Sequence, residues 1–490
     1  MNELDYDVVV VGMGVAGLSA ALSAAEAGAR VGVLERAPEG EHGGNTRYTE
    51  AFLRMKSVDE VSEDFEDCFA NESGYHVDPG ILREAAVDRA KRSNIARASG
   101  SLDPDVVATF SAEAGPTLQW MQGAGVKFAQ ASTPFITSST TRLAPVGGGL
   151  AIVETLTEVC RTRGVTFHFQ HTAQSLMVDD AGQVEGVFGS VGRQRVRVKA
   201  GAVILASGGF QGNPEMISQY IPLGSLARPI ARGGYYNRGE GIRMALEVGA
   251  ASSGDYNLFH AEPIDPRSAQ AEPAVFAFGY GVLVNSNGER FTDESSGTSD
   301  ATYEAVTRKI LQQPGGIAYA LFDAKLANVP NYQSALRTDQ PEISASSWSE
   351  MAAKLSVPAE TLAATIDGYN NACGEGEFSP LTLDGLSTSG LTPPKSNWAC
   401  TIDEPPFLAY PVAAANVFTF GGLKVDNTAN VVDTDGEAIA GLFAAGETMG
   451  IYYGRYTGST SVLRGAVFGR IAGLTAAEYS HSDAQLETAI

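Results

Sequence analysis

The chain has 490 residues, 44% of them hydrophobic and 19% charged, with a formal net charge of −23. Such a length exceeds one ordinary hydrophobic core and predicts two or three domains. The composition is globular, and the charge excludes nucleic acid and anionic membrane as partners, since both need basic patches.

Four cysteines, Cys68, Cys160, Cys373 and Cys400, form no C-x-x-C pair. That argues against a c-type haem, an iron–sulfur cluster or a zinc ribbon, so no metal site is expected, and the four read as buried reduced thiols. The acidic start MNELDYDVVVVG has no basic n-region and no cleavage site. No apolar run is long enough for a membrane span, which leaves a cytoplasmic protein as the expectation. The 55 glycines follow no collagen period and no Gly/Ser tract, so many belong to tight turns and close backbone approaches.

In chain order, DVVVV (7–11) predicts a buried parallel strand, 15–28 a small-residue helix and RVGVLE (30–35) a second strand, a βαβ start. A polar helical stretch follows from about 57 to 98, and 149–163 predicts another helix. From Gly164 to Gly189 the pattern alternates as a β meander, and AVILA (202–206) is again a buried strand. Prolines and irregular stretches rise from Tyr256, with a helical piece near 301–313. GGLKVD, GLFAAGE and a final helix from about Ser461 resume the first style. The reading is a first domain over 1–255 and 406–490, interrupted by an inserted capping domain over 256–405.

Gly12, Gly14 and Gly17 form G-x-G-x-x-G directly after a strand and open a helix. Gly12 permits the tight turn, Gly14 lets the backbone approach a pyrophosphate, and Gly17 lets helix and sheet pack closely. The helix start at Val15 and Ala16 offers free N–H groups and a positive dipole end to the phosphates. Glu35 ends the second strand where a carboxylate grips ribose hydroxyls, with Arg36 beside it.

NAD and FAD share this fingerprint, and three further segments separate them. They are His42-Gly43-Gly44-Asn45-Thr46, then Ala206-Ser207-Gly208-Gly209, then Gly441 to Gly446-Glu447 ahead of the last helix. In this order the set resembles the fumarate reductase and succinate dehydrogenase flavoproteins. The resemblance implies an α/β, Rossmann-like FAD-binding domain with an inserted α+β capping domain. It also implies that Ala173 faces the adenine, and that the helix start at Ser461 and Val462 points at the flavin pyrimidine edge, where its dipole stabilises reduced flavin. Some members attach FAD through a histidine at the position that is Asn45 here, so FAD is expected to be non-covalent. His42, three residues away, is the one histidine of that segment, a covalent anchor in the alternative and otherwise a surface loop residue.

The same resemblance marks four residues for the reaction. His260 in Phe259-His260-Ala261-Glu262-Pro263 matches the histidine that binds a substrate carboxylate. In Asn287 to Glu294 the family turn G-x-R-F is followed, in fumarate reductases, by a proton-donating arginine; here that position is Thr298. Tyr303 lies nearby, where steroid-type dehydrogenases place a tyrosine base. Tyr456 stands where fumarate reductases carry a substrate-binding arginine and 3-ketosteroid dehydrogenases a tyrosine that holds the ketone oxygen. A phenol suits an enolate oxygen and an arginine suits a carboxylate. Phe418 stands in place of another dicarboxylate-binding histidine. Arg142, before Gly147-Gly148-Gly149, is a further candidate for a carboxylate clamp, with a surface arginine as the alternative.

The chain therefore looks most similar to 3-ketosteroid dehydrogenase-like, tricarballylate dehydrogenase-like and small cyclic ketone desaturase members. The expected activity is FAD-dependent α,β-dehydrogenation of a small carbonyl compound, such as the cyclic keto acid 4-oxocyclohexanecarboxylate. A tricarballylate-type polycarboxylate dehydrogenase and a fumarate reductase-like alkene reductase are the alternatives. With one dinucleotide fingerprint, direct use of NAD(P)H is not expected. Electrons then leave to oxygen, a quinone or a redox protein.

Overall fold

The computed structural model describes residues 2–72, 91, 93, 103–130, 142–221, 230–231 and 234–488. Its first sheet has eight strands, ordered along its main path as Asn430–Val432, Ala438–Ala444, Gln194–Leu205, Asn2–Val11, Val31–Glu35 and Thr166–Phe169. From Ala438–Ala444 to Thr166–Phe169 every neighbouring pair is parallel. Val8, Val9 and Val10 are fully buried, as expected for β-branched residues in a parallel sheet covered on both faces.

The first strand is longer than DVVVV because its polar start, Asn2 to Tyr6, pairs with the near half of Gln194–Leu205. AVILA is the far half of that long strand, whose near half forms the meander with Val184–Val191 and His171–Val178. The observed meander begins one strand later than predicted, because Thr166–Phe169 joins the parallel edge instead.

Helix Val15–Glu26 lies under the final helix, Ser461–Thr488. A side chain at Gly469 or Gly473 would fall 2.4 Å from the Ala16 carbonyl or 2.3 Å from the Ala20 carbonyl. These absent side chains let the two helices touch backbone to backbone, which fixes the last helix over the first strand's end.

A second sheet is antiparallel in the order Phe259–Ile264, Phe407–Thr419, Ile317–Phe322 and Val282–Asn285. The short strands Ile343–Ala345 and Ile230–Ala231 also pair with the long Phe407–Thr419. It has two apolar cores of its own, one around Phe278, Phe322 and Val412, the other around Leu321, Met351 and Tyr369. The end of Phe407–Thr419 reaches the first sheet, where the Phe210 N–H donates to Thr419 Oγ1 at 3.2 Å and Asn45 Nδ2 donates to the Val417 carbonyl.

Several expectations need correction. Of the polar stretch 57–98, Phe65–Glu72 is helical, 57–64 is bends and turns, and 73–90, 92 and 94–98 fall outside the described residues. The helices Pro104–Gly123, Trp348–Leu355 and Ala359–Ala372 had no counterpart in the sequence reading. Of the four cysteines only Cys160 is fully buried, and burial pushes its thiol up to about 12.

Candidate active site

The parallel strands end at Val11, Glu35, Leu205 and Ala444, and the loops beyond them open on one crevice, as expected at the C-terminal edge of such a sheet. The resulting first cleft encloses about 1140 Å³ with its mouth included. Gly12, Gly14, Val15, Ala16, Glu35, Arg36, Gly44, Asn45, Thr46, Ala173, Ala206, Ser207, Gly208, Gly446, Glu447, Ser461 and Val462 all line it.

Gly17 and Gly43 sit behind the wall. A Cβ at Gly17 would lie 2.0 Å from the Gly12 carbonyl, so its place is helix–sheet packing. Gly43 precedes the turn Gly44–Tyr48 in a left-handed conformation. The reading missed Met13, Thr49, His171, Tyr236, Asn237, Glu240 and Arg464, which also line the cleft.

Gly12 has φ +105°, and a Cβ there would lie 2.3 Å from the Ala206 carbonyl, so only glycine fits. Gly14 is different. A Cβ there would meet only Thr46 Oγ1 at 3.4 Å and the Gly43 carbonyl at 3.6 Å. No protein atom demands glycine at that position, and the space in front of it is the cleft. Glu35 is buried and its Oε1 accepts the Ala37 N–H at 2.7 Å. Burial pushes its carboxyl up, with backbone N–H groups opposing. Arg36 is paired with Glu240.

The Glu447 carboxylate accepts the Thr419 N–H at 2.9 Å, Gln211 Nε2 at 3.2 Å and Asn237 Nδ2 at 3.4 Å. Burial raises its pKa against those donors. His42 does not reach the cleft: it packs on Phe169, with Nε2 3.4 Å from Thr157 Oγ1.

A second cavity of about 890 Å³, mouth included, shares Thr49, Val417, Phe418, Ser461 and Val462 with the first. Tyr456, Tyr303, His260 and Arg142 all line it. The Tyr456 hydroxyl accepts the N–H groups of Thr460 at 3.0 Å and Ser461 at 3.1 Å, and donates to Ser461 Oγ at 3.1 Å. It thus caps the last helix, and the Ser461 N–H expected to face the cofactor is bonded to this phenol.

His260 lies in strand Phe259–Ile264, its ring 4.4 Å from the Tyr456 ring and 5.1 Å from Phe418. Its Nε2 is 3.4 Å from Glu262 and 3.5 Å from the Tyr303 hydroxyl; its Nδ1 is 3.7 Å from Glu304. The last distance is too long for a hydrogen bond but close for opposite charges. Burial opposes a charge on His260, yet Glu262 and Glu304 outweigh it and raise its pKa. Burial likewise opposes the charge of Glu304, and His260 and Arg308 outweigh it in the other direction. The Tyr303 phenol is pushed well up, by burial first and then by Glu262 and Glu304, so it keeps its proton.

Arg142 donates to Ser459 Oγ at 2.5 Å and to Asp300 Oδ2 at 3.1 Å. Arg337, missed by the sequence reading, is 2.8 Å from Glu50 and 3.5 Å from Glu272, with its guanidinium over Phe276. Thr298, the position of the absent arginine, precedes helix Ser299–Leu311 without a side-chain cap, its hydroxyl donating to Asp300 Oδ1 at 2.7 Å.

A family model described as an FAD binding domain matches residues 7–463. The chain belongs to that family. A probable fumarate reductase of Shewanella frigidimarina is 26% identical over 96% of this chain and 75% of its own length. The 4-oxocyclohexanecarboxylate 2-dehydrogenase of Sinomonas cyclohexanicum is 28% identical over 61% of this chain and 54% of its own. Among solved structures, a 3-ketosteroid-Δ4-(5α)-dehydrogenase from Rhodococcus jostii RHA1 superposes with a TM-score of 0.69 at 25% identity, over 97% of this chain and 98% of its own.

The protein is an FAD-dependent dehydrogenase or reductase of the fumarate reductase family, acting on CH–CH bonds. The residues of this flavoprotein fit the cofactor. Gly14 fronts open space, and the Ser207 hydroxyl is buried in the cleft wall with no hydrogen-bond partner among the described residues. Glu35 and the start of helix Val15–Glu26, whose Val15 N–H goes to Thr46 Oγ1 at 3.1 Å while Gly14 offers no side-chain cap, supply the donor and acceptor groups that a ribose and a pyrophosphate need.

Proposed function

We propose that this flavoprotein is an α,β-dehydrogenase, or desaturase, of a small carbonyl compound. The observation that carries the reading is the chemistry of the second cavity. Phe418, a phenyl ring, lines both this cavity and the first cleft, and Tyr456, a phenol, lines it bonded to the shared Ser461. Farther in, Arg142 faces Asp300, Arg337 faces Glu50 and Glu272, and His260 faces Glu262 and Glu304.

Among the described lining residues, four carboxylates stand against two arginines and one histidine. A polycarboxylate would have to compete with carboxylates already in place, in a site where desolvating more negative charge costs several kcal/mol. A carbonyl oxygen asks only for hydrogen-bond donors. A single carboxylate, as in 4-oxocyclohexanecarboxylate, meets that cost once; a second or third meets it again.

In this reading the substrate carbonyl oxygen accepts from the Tyr456 hydroxyl, which turns from Ser461 Oγ. The two N–H groups donated to the same phenol oxygen polarise it, so it becomes a stronger donor as enolate charge develops. The α-proton goes to the carboxylate and histidine cluster of Glu262, His260 and Glu304. Tyr303 is the poorer base, because burial and two carboxylates keep its proton on. Its role is to hold His260 and to donate. Bound FAD supplies the two-electron acceptor for the β-hydrogen, which leaves as hydride. The substrate loses one proton and one hydride and gains a carbon–carbon double bond beside the carbonyl. The same groups serve the reverse reaction, so the electron acceptor (oxygen, a quinone or a redox protein) sets the direction.

The test is product analysis. The holoenzyme is incubated with saturated cyclic ketones, keto acids and tricarballylate, with an electron-accepting dye. Loss of two hydrogens from a ketone, with tricarballylate untouched, supports the reading. Oxidation of tricarballylate alone overturns it.

A further inference from the structure

Arg464 is 1% exposed, yet among the described residues it forms no ion pair within 4.0 Å. One amino group donates to the Met449 carbonyl at 3.1 Å, and its Nε, also buried, has no hydrogen-bond partner among the described residues. The guanidinium carbon lies 4.7 Å from the centre of the Tyr452 ring and 5.9 Å from that of Phe418. Arg464 lines the cofactor cleft, one turn into the helix whose first residues, Ser461 and Val462, line both cavities together with Phe418.

The buried Glu447 carboxylate feels this charge but makes no ion pair with it and is already bonded to Thr419, Gln211 and Asn237, so the buried guanidinium is unfavourable unless something more in the site answers its charge. The charge stands at the end of the cleft that adjoins the second cavity, where electrons must pass between the two. The positive end of the last helix is partly satisfied already, because Tyr456 takes the N–H groups of Thr460 and Ser461. Tyr452 and Phe418 shield the cation from water without neutralising it.

We propose that Arg464 is the positioning charge that sets the reduction potential of bound FAD. The oxidised cofactor takes up a hydride from the substrate, two electrons with one proton, and so gains one negative charge. Arg464 stabilises that charge and thereby raises the potential. The inference rests on FAD binding alone and stands whichever compound proves to be the substrate.

The experiment uses FAD-loaded wild type, Arg464→Met and Arg464→Lys, with potentials measured by equilibration against a reference dye and FAD affinities measured in both redox states. In Arg464→Met the reduced cofactor loses at least about tenfold in affinity relative to the oxidised one, a fall of about 30 mV for a two-electron couple. Arg464→Lys, which keeps the charge, recovers most of the difference. An Arg464→Met enzyme that holds FAD at the wild-type potential overturns the proposal.

Should Arg464→Met fail to hold FAD, the wild-type potential is followed from pH 6 to pH 8. A reduced cofactor kept anionic takes one proton per two electrons, giving about 30 mV per pH unit, since one pH unit is a tenfold change in proton concentration. That slope, together with a wild-type-like potential in Arg464→Lys, supports the proposal. A slope twice as large means a neutral reduced form and overturns it.

Discussion

Replacing Tyr456 by Phe isolates the hydroxyl on which the proposed mechanism turns. That oxygen accepts two N–H groups, from Thr460 at 3.0 Å and Ser461 at 3.1 Å, and donates to Ser461 Oγ. Its ring packs against His260 and Phe418, which Phe would retain. Two effects then separate. Loss of the helix cap lowers stability by about 1 kcal/mol, the usual size for an N-terminal cap. Loss of an oxyanion donor in a dry site raises the barrier by about 2.7–4 kcal/mol, or about 10²–10³-fold in kcat.

The assay compares FAD content, Tm and single-turnover bleaching rate for wild type and Tyr456→Phe on the best ketone. The expected result is a full complement of FAD, a small fall in Tm and a bleaching rate at least about 10²-fold slower. A variant that bleaches at the wild-type rate with FAD bound refutes the role of the phenol.

Three further outcomes follow from the same geometry. His260 is raised by its carboxylate neighbours, so its contribution to stability is complete below its unfolded pKa of 6.5 and fades as pH rises through its higher folded value. The Tm gap between wild type and His260→Gln should therefore narrow from pH 6 to pH 9; a gap that widens would contradict the pairing. Arg142→Met alone leaves Asp300 buried beside the cavity and should cost about 3–5 kcal/mol in denaturant melts, with Arg142→Met/Asp300→Asn recovering much of it. Equal losses in the single and double variants would show that the pair is not coupled. Gly14→Ala should leave apoprotein stability within about 0.5 kcal/mol but weaken FAD at least about tenfold, because the new methyl faces the cleft rather than the protein. Unchanged FAD titration would place the cofactor elsewhere.

That most of the proposed cofactor residues would line one cleft was legible in the sequence, and for a physical reason. Gly12, Glu35, Ala206 and Gly446 each sit at or just past the end of a parallel strand, so short motifs far apart in the chain meet at one sheet edge. Asn237, Glu240 and Arg464 escaped because they sit in a loop or in helices, reach the same cleft and carry no motif. Helix Pro104–Gly123 was hidden by its Gly115-Pro116 step, which reads as a break although the helix continues through it.

On the substrate side, the four reaction residues do line one cavity, but their partners were not visible. Arg142 reads as a free clamp until Asp300 is seen 3.1 Å away. Glu50 and Arg337, 2.8 Å apart, come from distant parts of the chain. Tyr303 reads as a base until its burial beside Glu262 and Glu304 is seen to hold its proton on. Charge balance is a property of the folded cavity, and no local pattern encodes it.

The most direct test of the central claim is anaerobic: the yellow absorption band of the holoenzyme is followed as cyclic ketones, keto acids and tricarboxylates are added one at a time, with no other electron acceptor present. The account predicts that a small cyclic ketone or mono-keto acid bleaches the band and that tricarballylate does not. Bleaching by polycarboxylates alone would contradict it, as would an enzyme that no compound bleaches but whose chemically reduced form is reoxidised by an activated alkene.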